Sequence, residues 1–203
     1  MMKKVFILIA AAIVCLSASA QVQFGFKVGV VATNFWGKTD YPSQYEARYP
    51  MIVNHNLRLN YQAGLVMEYK FSPQFAIAPE VVFAAQGGKI TNGNPALEIN
   101  QRTIKFTTNY INVPVMLKYY FSPAFSIDLG PQVGFNVYSK TQHRDSKNYT
   151  KGVDLGVGLG ATYNLTEHVF IQTRYTMGMT KVFKGEHINA KNSNIQLAIG
   201  MKY

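Results

Sequence analysis

Residues 110–137 read as two long β-strands joined by three residues, and no other stretch limits the fold of this chain so closely. In the first half Ile111, Val113, Val115, Leu117, Tyr119 and Phe121 are apolar, and Asn112, Lys118 and Tyr120 place polar atoms between them. A period of two puts these sets on opposite faces of a strand. In the second half Phe125, Ile127, Leu129, Pro131, Val133, Phe135 and Val137 alternate with Ser126, Asp128, Gly130, Gln132, Gly134 and Asn136. Ser122, Pro123 and Ala124 separate the halves, and proline presets φ for a tight turn. Each strand is about twice the ~5 to 6 residues usual in a soluble sheet and meets the ~9 to 11 that a tilted strand needs to cross a bilayer.

The alternation recurs along the chain. Residues 24–34 set Phe24, Phe26, Val28, Val30 and Ala32 against Gly25, Lys27, Gly29, Val31 and Thr33. Residues 58–71 set Leu59, Tyr61, Ala63, Leu65, Met67, Tyr69 and Phe71 against Arg58, Asn60, Gln62, Gly64, Glu68 and Lys70. A slip of one residue there would turn every charge into lipid, so the register is strongly specified. Residues 75–86, 153–165, 169–179 and 194–203 follow the same pattern, which makes eight strands. Connections 35–57, 87–105, 139–151 and 181–193 are long, whereas 72–74, 122–124 and 166–168 are short turns. FSPQF at 71–75 and FSPAF at 121–125 are copies of one hairpin tip, with 165–169 a weaker third. Tyr69, Phe71, Phe75, Tyr119, Phe121, Phe125, Tyr163 and Tyr203 gather at the short-turn end, as an aromatic girdle does. The prediction is an all-β fold, an eight-stranded antiparallel transmembrane β-barrel with long extracellular loops, short periplasmic turns and both chain ends at the periplasmic rim. Pro79, Pro114 and Pro131 fall inside strands of a wall that has no edge, and β-bulges are the expected accommodation.

Residues 1–20 stand apart from the barrel domain at 21–203. Lys3 and Lys4 precede an apolar run from Val5 to Leu16, and Ala18, Ser19 and Ala20 form a cleavage site, which predicts an exported chain beginning at Gln21. The single cysteine, Cys15, lies inside that run, so the mature chain has neither a disulfide framework nor a thiolate metal site. Cleavage removes two lysines and lowers the formal charge from +10 to +8. Without a Lys/Arg run or a nucleic-acid-binding signature, that charge does not indicate a nucleic-acid partner.

Four runs, YINVPVMLKYYF at 110–121, DLGPQVGF at 128–135, RYTMGMTKV at 174–182 and LAIGMKY at 197–203, give the chain a resemblance to the PorT-like outer-membrane β-barrel family. The resemblance covers the whole mature chain and implies a small eight-stranded barrel, exported and placed in the outer membrane. It also implies that the terminal aromatic, Tyr203, is read by the barrel-assembly machinery. Members of the family mostly lack an assigned chemistry, and some relatives take part in protein secretion.

No catalytic, cofactor or metal site emerges from the residues. His55, His143 and His187 lie in three separate long connections and His168 in a short turn, with no recurring Ser/His/Asp spacing and no acidic cluster beside them. The expectation is a protein that is not an enzyme and needs no cofactor. The inward face combines glycines with long charged side chains, and an eight-stranded barrel has a lumen just wide enough for side chains. Lys27, Glu68, Glu80, Lys118, Asp128 and Arg174 are therefore expected to form an interior ion network, with Glu68, Lys118 and Asp128 at similar depth near the periplasmic rim and Glu80 and Arg174 deeper. In the third and fourth loops Lys140, Arg144, Lys147, Lys151, Lys181, Lys184 and Lys191 outweigh Asp145 and Glu186. Lys140, Arg144, Lys147 and Lys184 are the candidate anion-binding residues, with lipopolysaccharide phosphates as the nearest anions, and Phe35, Trp36, Tyr41, Tyr45 and Tyr49 of the first loop can add stacking. The expected function is a surface or envelope binding role through these loops; a narrow channel for small solutes or ions is the alternative. A soluble lipocalin-type carrier, with its apolar face turned inward, fits less well.

Overall fold

The computed structural model describes residues 22–36, 54–56, 58–87, 89–92, 102–141, 144–145, 152–181 and 191–203. Eight strands form the wall: β1 (Val22–Trp36), β2 (Arg58–Lys70), β3 (Phe75–Gln86), β4 (Arg102–Tyr120), β5 (Phe125–Thr141), β6 (Val153–Asn164), β7 (Val169–Lys181) and β8 (Lys191–Lys202). Each is antiparallel to its neighbours in chain order, and β1 also pairs with β8, from Gly25↔Lys202 to Trp36↔Lys191, which closes the sheet into a barrel. Closure leaves every wall strand with two partners, as a strand in hydrocarbon requires. Residues 1–20, for which the sequence predicts an export signal, lie outside the described residues.

Burial alternates with the sequence pattern. Leu59, Tyr61, Leu65, Leu129, Leu159, Ile195, Leu197 and Ile199 are exposed on the outer face, and Lys27, Glu68, Glu80, Lys118, Asp128, Arg174 and Lys202 are buried in the lumen. The barrel is thus apolar outside and polar inside, the reverse of a soluble carrier.

The short turns repeat one geometry for a chemical reason. In the first, the Ser72 hydroxyl accepts from Phe75 N–H at 2.9 Å while Phe71 and Ser72 N–H both donate to the Phe75 carbonyl. Ser122 and Phe125 reproduce this, with the hydroxyl contact at 3.1 Å. In the third turn Thr166 takes the serine's place, accepting from Val169 N–H at 2.9 Å. Around the first two turns, rings contact one another in succession: Phe71 stacks on Phe75 at 6.1 Å, Phe75 lies tilted against Tyr119 at 5.1 Å, Tyr119 meets Phe121 edge to face at 4.9 Å and Phe121 stacks on Phe125 at 5.8 Å. His168 stacks on Tyr203 at 5.0 Å at the third. A girdle of this kind marks the level where the wall meets the headgroups.

Two expectations are corrected. Pairing extends beyond the predicted strand ends on the outer side, so β4 and β5 have 19 and 17 residues against 12 to 13 in β6, β7 and β8. A short strand, Lys89–Asn92, pairs with the start of β4, and Asn54–Asn56 pairs with it in turn. These stretches carry turn-forming and polar residues, so their sequence lacks the contrast of faces that reveals a strand. The second correction concerns the prolines, none of which sits at a bulge. Pairing is interrupted between Val66↔Glu80 and Tyr69↔Ile77, between Pro79↔Val115 and Val82↔Asn112, and between Pro114↔Gln132 and Leu117↔Leu129, and the register resumes unchanged each time. The missing N–H is absorbed by omitting two pairs, without inserting a residue. The register shifts lie elsewhere, between Asn109 and Tyr110 in β4 and between Met177 and Lys181 in β7.

Candidate functional site

The lumen holds two stacked layers of charged side chains. Alternate strands supply different layers because inward positions on neighbouring tilted strands are staggered in height. The deeper layer draws its charges from the odd-numbered strands. Lys27 Nζ donates to Glu80 Oε2 at 2.7 Å and to Gln172 Oε1 at 2.7 Å. Arg174 holds Glu80 through both terminal nitrogens, at 2.8 and 2.9 Å, and reaches Asp128 Oδ1 with its Nε at 3.2 Å. Thr162 donates to Asp128 Oδ2 at 3.5 Å, and Gln172 Nε2 donates to Thr162 at 3.3 Å, completing a closed ring across the barrel. Two cations face two carboxylates, so the ring is neutral. An arginine suits its centre because the planar guanidinium can serve two carboxylates at once.

The layer nearer the short turns draws on β2, β4 and β8. Glu68 accepts from Lys118 at 2.9 Å, from Lys202 at 3.3 Å and from the Tyr120 hydroxyl. Between the layers lies a small void of about 20 Å³ bordered by Glu68, Glu80, Lys118, Gln172 and Lys202. That is room for a water molecule and no more.

Glycine makes this packing possible. A Cβ on Gly160 would stand 2.6 Å from Asp128 Oδ1, and one on Gly158 would stand 3.4 Å from Arg174 Cδ. On the outer side of the ring the lumen is polar but nearly uncharged. Asp154 accepts from Thr180 at 2.5 Å and from Asn192 at 2.7 Å, and Gln196 donates to Asn194 at 2.7 Å.

The six interior residues named from the sequence all enter these layers, but with a different division. Lys118 and Asp128 are cross-strand partners in register, yet Lys118 pairs with Glu68 and Asp128 with Arg174. Lys202, Tyr120, Gln172 and Thr162 belong to the network as well. Lys202 and Tyr120 were visible as inward members of their strands; what the pattern lacks is any sign of which strands face each other across the lumen.

Of the proposed loop residues, Lys140 lies near the end of β5, where its main chain pairs with Asp145, and Arg144 pairs with Thr141. Lys147 and Lys184 lie outside the described residues. So do His143 and His187, whereas His55 falls in Asn54–Asn56 and His168 Nδ1 lies 3.2 Å from the Lys202 carbonyl oxygen. Among the described residues no group of three or more His, Cys, Asp or Glu side chains is placed to hold a metal ion.

The architecture can be set beside known proteins. Residues 17–184 match the family model described as outer membrane protein beta-barrel domain. The chain belongs to that family. Solved structures of similar fold include Ail, the attachment invasion locus protein of Yersinia pestis, at 14% identity and a TM-score of 0.52, covering 90% of this chain and 99% of Ail. Neisserial surface protein A gives 13% identity and a TM-score of 0.54, covering 89% and 97%. OprG from Pseudomonas aeruginosa gives 12% identity and a TM-score of 0.51, covering 89% and 95%. At these identities the likeness is one of fold. No curated protein sequence matches. Membership of the family places this barrel in the outer membrane.

Proposed function

We propose that this outer-membrane barrel is a non-enzymatic surface protein whose wall is an anchor and whose outer rim binds phosphate groups of lipopolysaccharide. The observation that carries this reading is the closed ring of Lys27, Glu80, Arg174, Asp128, Thr162 and Gln172. It fills the cross-section through which a solute would have to pass, and opening it would leave buried charges without partners. That argues against the narrow-channel alternative and moves the function to the outside. The tall side of the wall supports the choice of ligand. Pairing sets the main chain of Lys89 opposite Lys105, and that of Lys140 opposite Thr107, two residues farther along β4. The paired main chains thus bring three lysine positions to one stretch of the wall, which suits an anionic ligand. The barrel of Ail, similar in fold, has been crystallised in complex with the heparin analogue sucrose octasulfate. The same reading takes residues 1–20 as a cleaved export signal, Tyr203 as the contact for the barrel-assembly machinery, and the narrower family as PorT-like.

The test is titration of the detergent-purified barrel with lipopolysaccharide, comparing wild type with a variant neutralised at Lys89, Lys105, Lys140, Arg144, Lys147 and Lys184. Binding should weaken in the variant and should weaken in wild type as salt rises, because exposed charges are screened beyond ~8 Å at physiological ionic strength. Equal binding by both proteins, or indifference to salt, removes the proposal.

A further inference from the structure

The lipid-facing wall is not evenly convex. Val28, Ala63, Phe83 and Ile111 stand side by side in register on β1 to β4, and Phe26, Leu65 and Val81 form a neighbouring row. All are apolar and outward, but Ala63 offers only a methyl group between Tyr61 and Leu65, which are 64% and 68% exposed. The result is an apolar hollow of about 480 Å³ that reaches as far as Lys27 and Gly64, whose own positions face the lumen.

The height of the hollow in the membrane narrows what can fill it. Along β4, Ile111 lies eight residues from Tyr119 of the aromatic girdle and six from Lys105. At ~3.3 Å per residue and a tilt of ~40°, these are about 20 and about 15 Å of height. The hollow is thus near the middle of a hydrocarbon core ~30 Å thick, and Lys105 stands at the headgroup level on the side away from the girdle. Lys89 shares that level, because the pairs Phe83↔Ile111 and Lys89↔Lys105 are six residues apart on both strands. Lipid tails are as apolar as the wall, so close packing is what distinguishes one place on it from another. A second copy of the barrel is convex and would meet Tyr61 and Leu65 before reaching Ala63, whereas a single acyl chain is thin enough to enter between them. A lipid whose chain ends here carries its headgroup beside Lys89 and Lys105.

We propose that the hollow over Ala63 seats one acyl chain of the lipopolysaccharide whose phosphates meet the basic rim, so that the ligand is the intact lipid anchor and not the phosphorylated sugar alone. This rests on the phosphate-binding reading of the rim.

Native mass spectrometry of the detergent-purified barrel with lipid A, the acylated disaccharide bisphosphate of lipopolysaccharide, and with its fully deacylated form separates the two readings. Wild type should bind lipid A at least about tenfold more tightly than the deacylated form. Ala63→Phe, which fills the hollow, should remove about that factor and leave the deacylated form bound as before; Ala63→Leu should act in the same direction to a smaller extent. Ala161→Phe, at an outward position of β6, is the control and should bind both forms as wild type does. All variants must keep the heat-dependent gel mobility of a folded barrel. Lipid A binding that needs the rim lysines but is unchanged in folded Ala63→Phe and Ala63→Leu, or is lowered equally by Ala161→Phe, overturns this proposal alone. Failure of wild type to bind either form overturns the phosphate reading and this one with it. A wild-type dimer that Ala63→Phe dissociates overturns the proposal by giving the hollow to a second copy.

Discussion

Arg174 holds two carboxylates that reach it from β3 and β5, and no other side chain in the ring could replace it. Lysine retains the charge but is a point donor without the planar fork, so Arg174→Lys should unfold at a lower temperature than wild type although its net charge is unchanged. Lys118→Met removes one partner of Glu68 in the other layer. Breaking a buried pair typically costs about 3 to 5 kcal/mol, and the remaining Lys202 should hold the loss to the lower end of that range. Glu167→Gln in the exposed third turn is the control and should leave the melting temperature unchanged. A melting temperature unaltered in Lys118→Met would mean that the layer is solvated. Gly160→Ala should behave like a mutation of Asp128 itself, because the added methyl takes the space of the carboxylate. Which residues turn inward could be read from alternation alone, and so could the need for glycine beside them. Partner choice could not. Lys118 and Asp128 face each other in register, but each reaches past its neighbour to a charge made available by closure of the wall.

The short turns were legible because their chemistry is local: a hydroxyl, a proline and two flanking aromatics lie within five residues. Ser122→Ala removes the side-chain acceptor for Phe125 N–H, which retains a carbonyl contact at 3.2 Å, and should cost about 0.5 to 1.5 kcal/mol in a denaturant melt. Thr should substitute for Ser122 with little loss, since Thr166 already does this work in the third turn. The outer ends of the strands were less legible. From Lys89 to Asn92 and from Arg102 to Lys105, pairing is fixed by neighbouring segments whose own polar sequence carries no period. The prolines misled for a related reason. A bulge is the remedy when the register must change, and here it is kept across all three interruptions.

At the scale of the whole molecule, eight strands, their order and their antiparallel sense followed from alternation and from the long and short connections, because a bilayer leaves few other ways to satisfy so many backbone groups. The described lumen is neutral at its constriction and closed by hydrogen bonds. In planar bilayers, wild type should therefore show no stable conductance of porin size, and a double variant Glu80→Ala, Arg174→Ala that stays folded should be the leakier of the two. Stable wild-type conductance would mean that the ring opens. Pairing of the first strand with the last also imposes an order on assembly. Gly25 to Trp36 are among the first residues of the barrel to be made, and their partners, Lys191 to Lys202, are the last. Until those arrive, β1 has one unoccupied edge that any other strand could take. The finished wall offers no place to add or remove a strand, so the chain must be guarded through its whole synthesis and then sealed in a single late step.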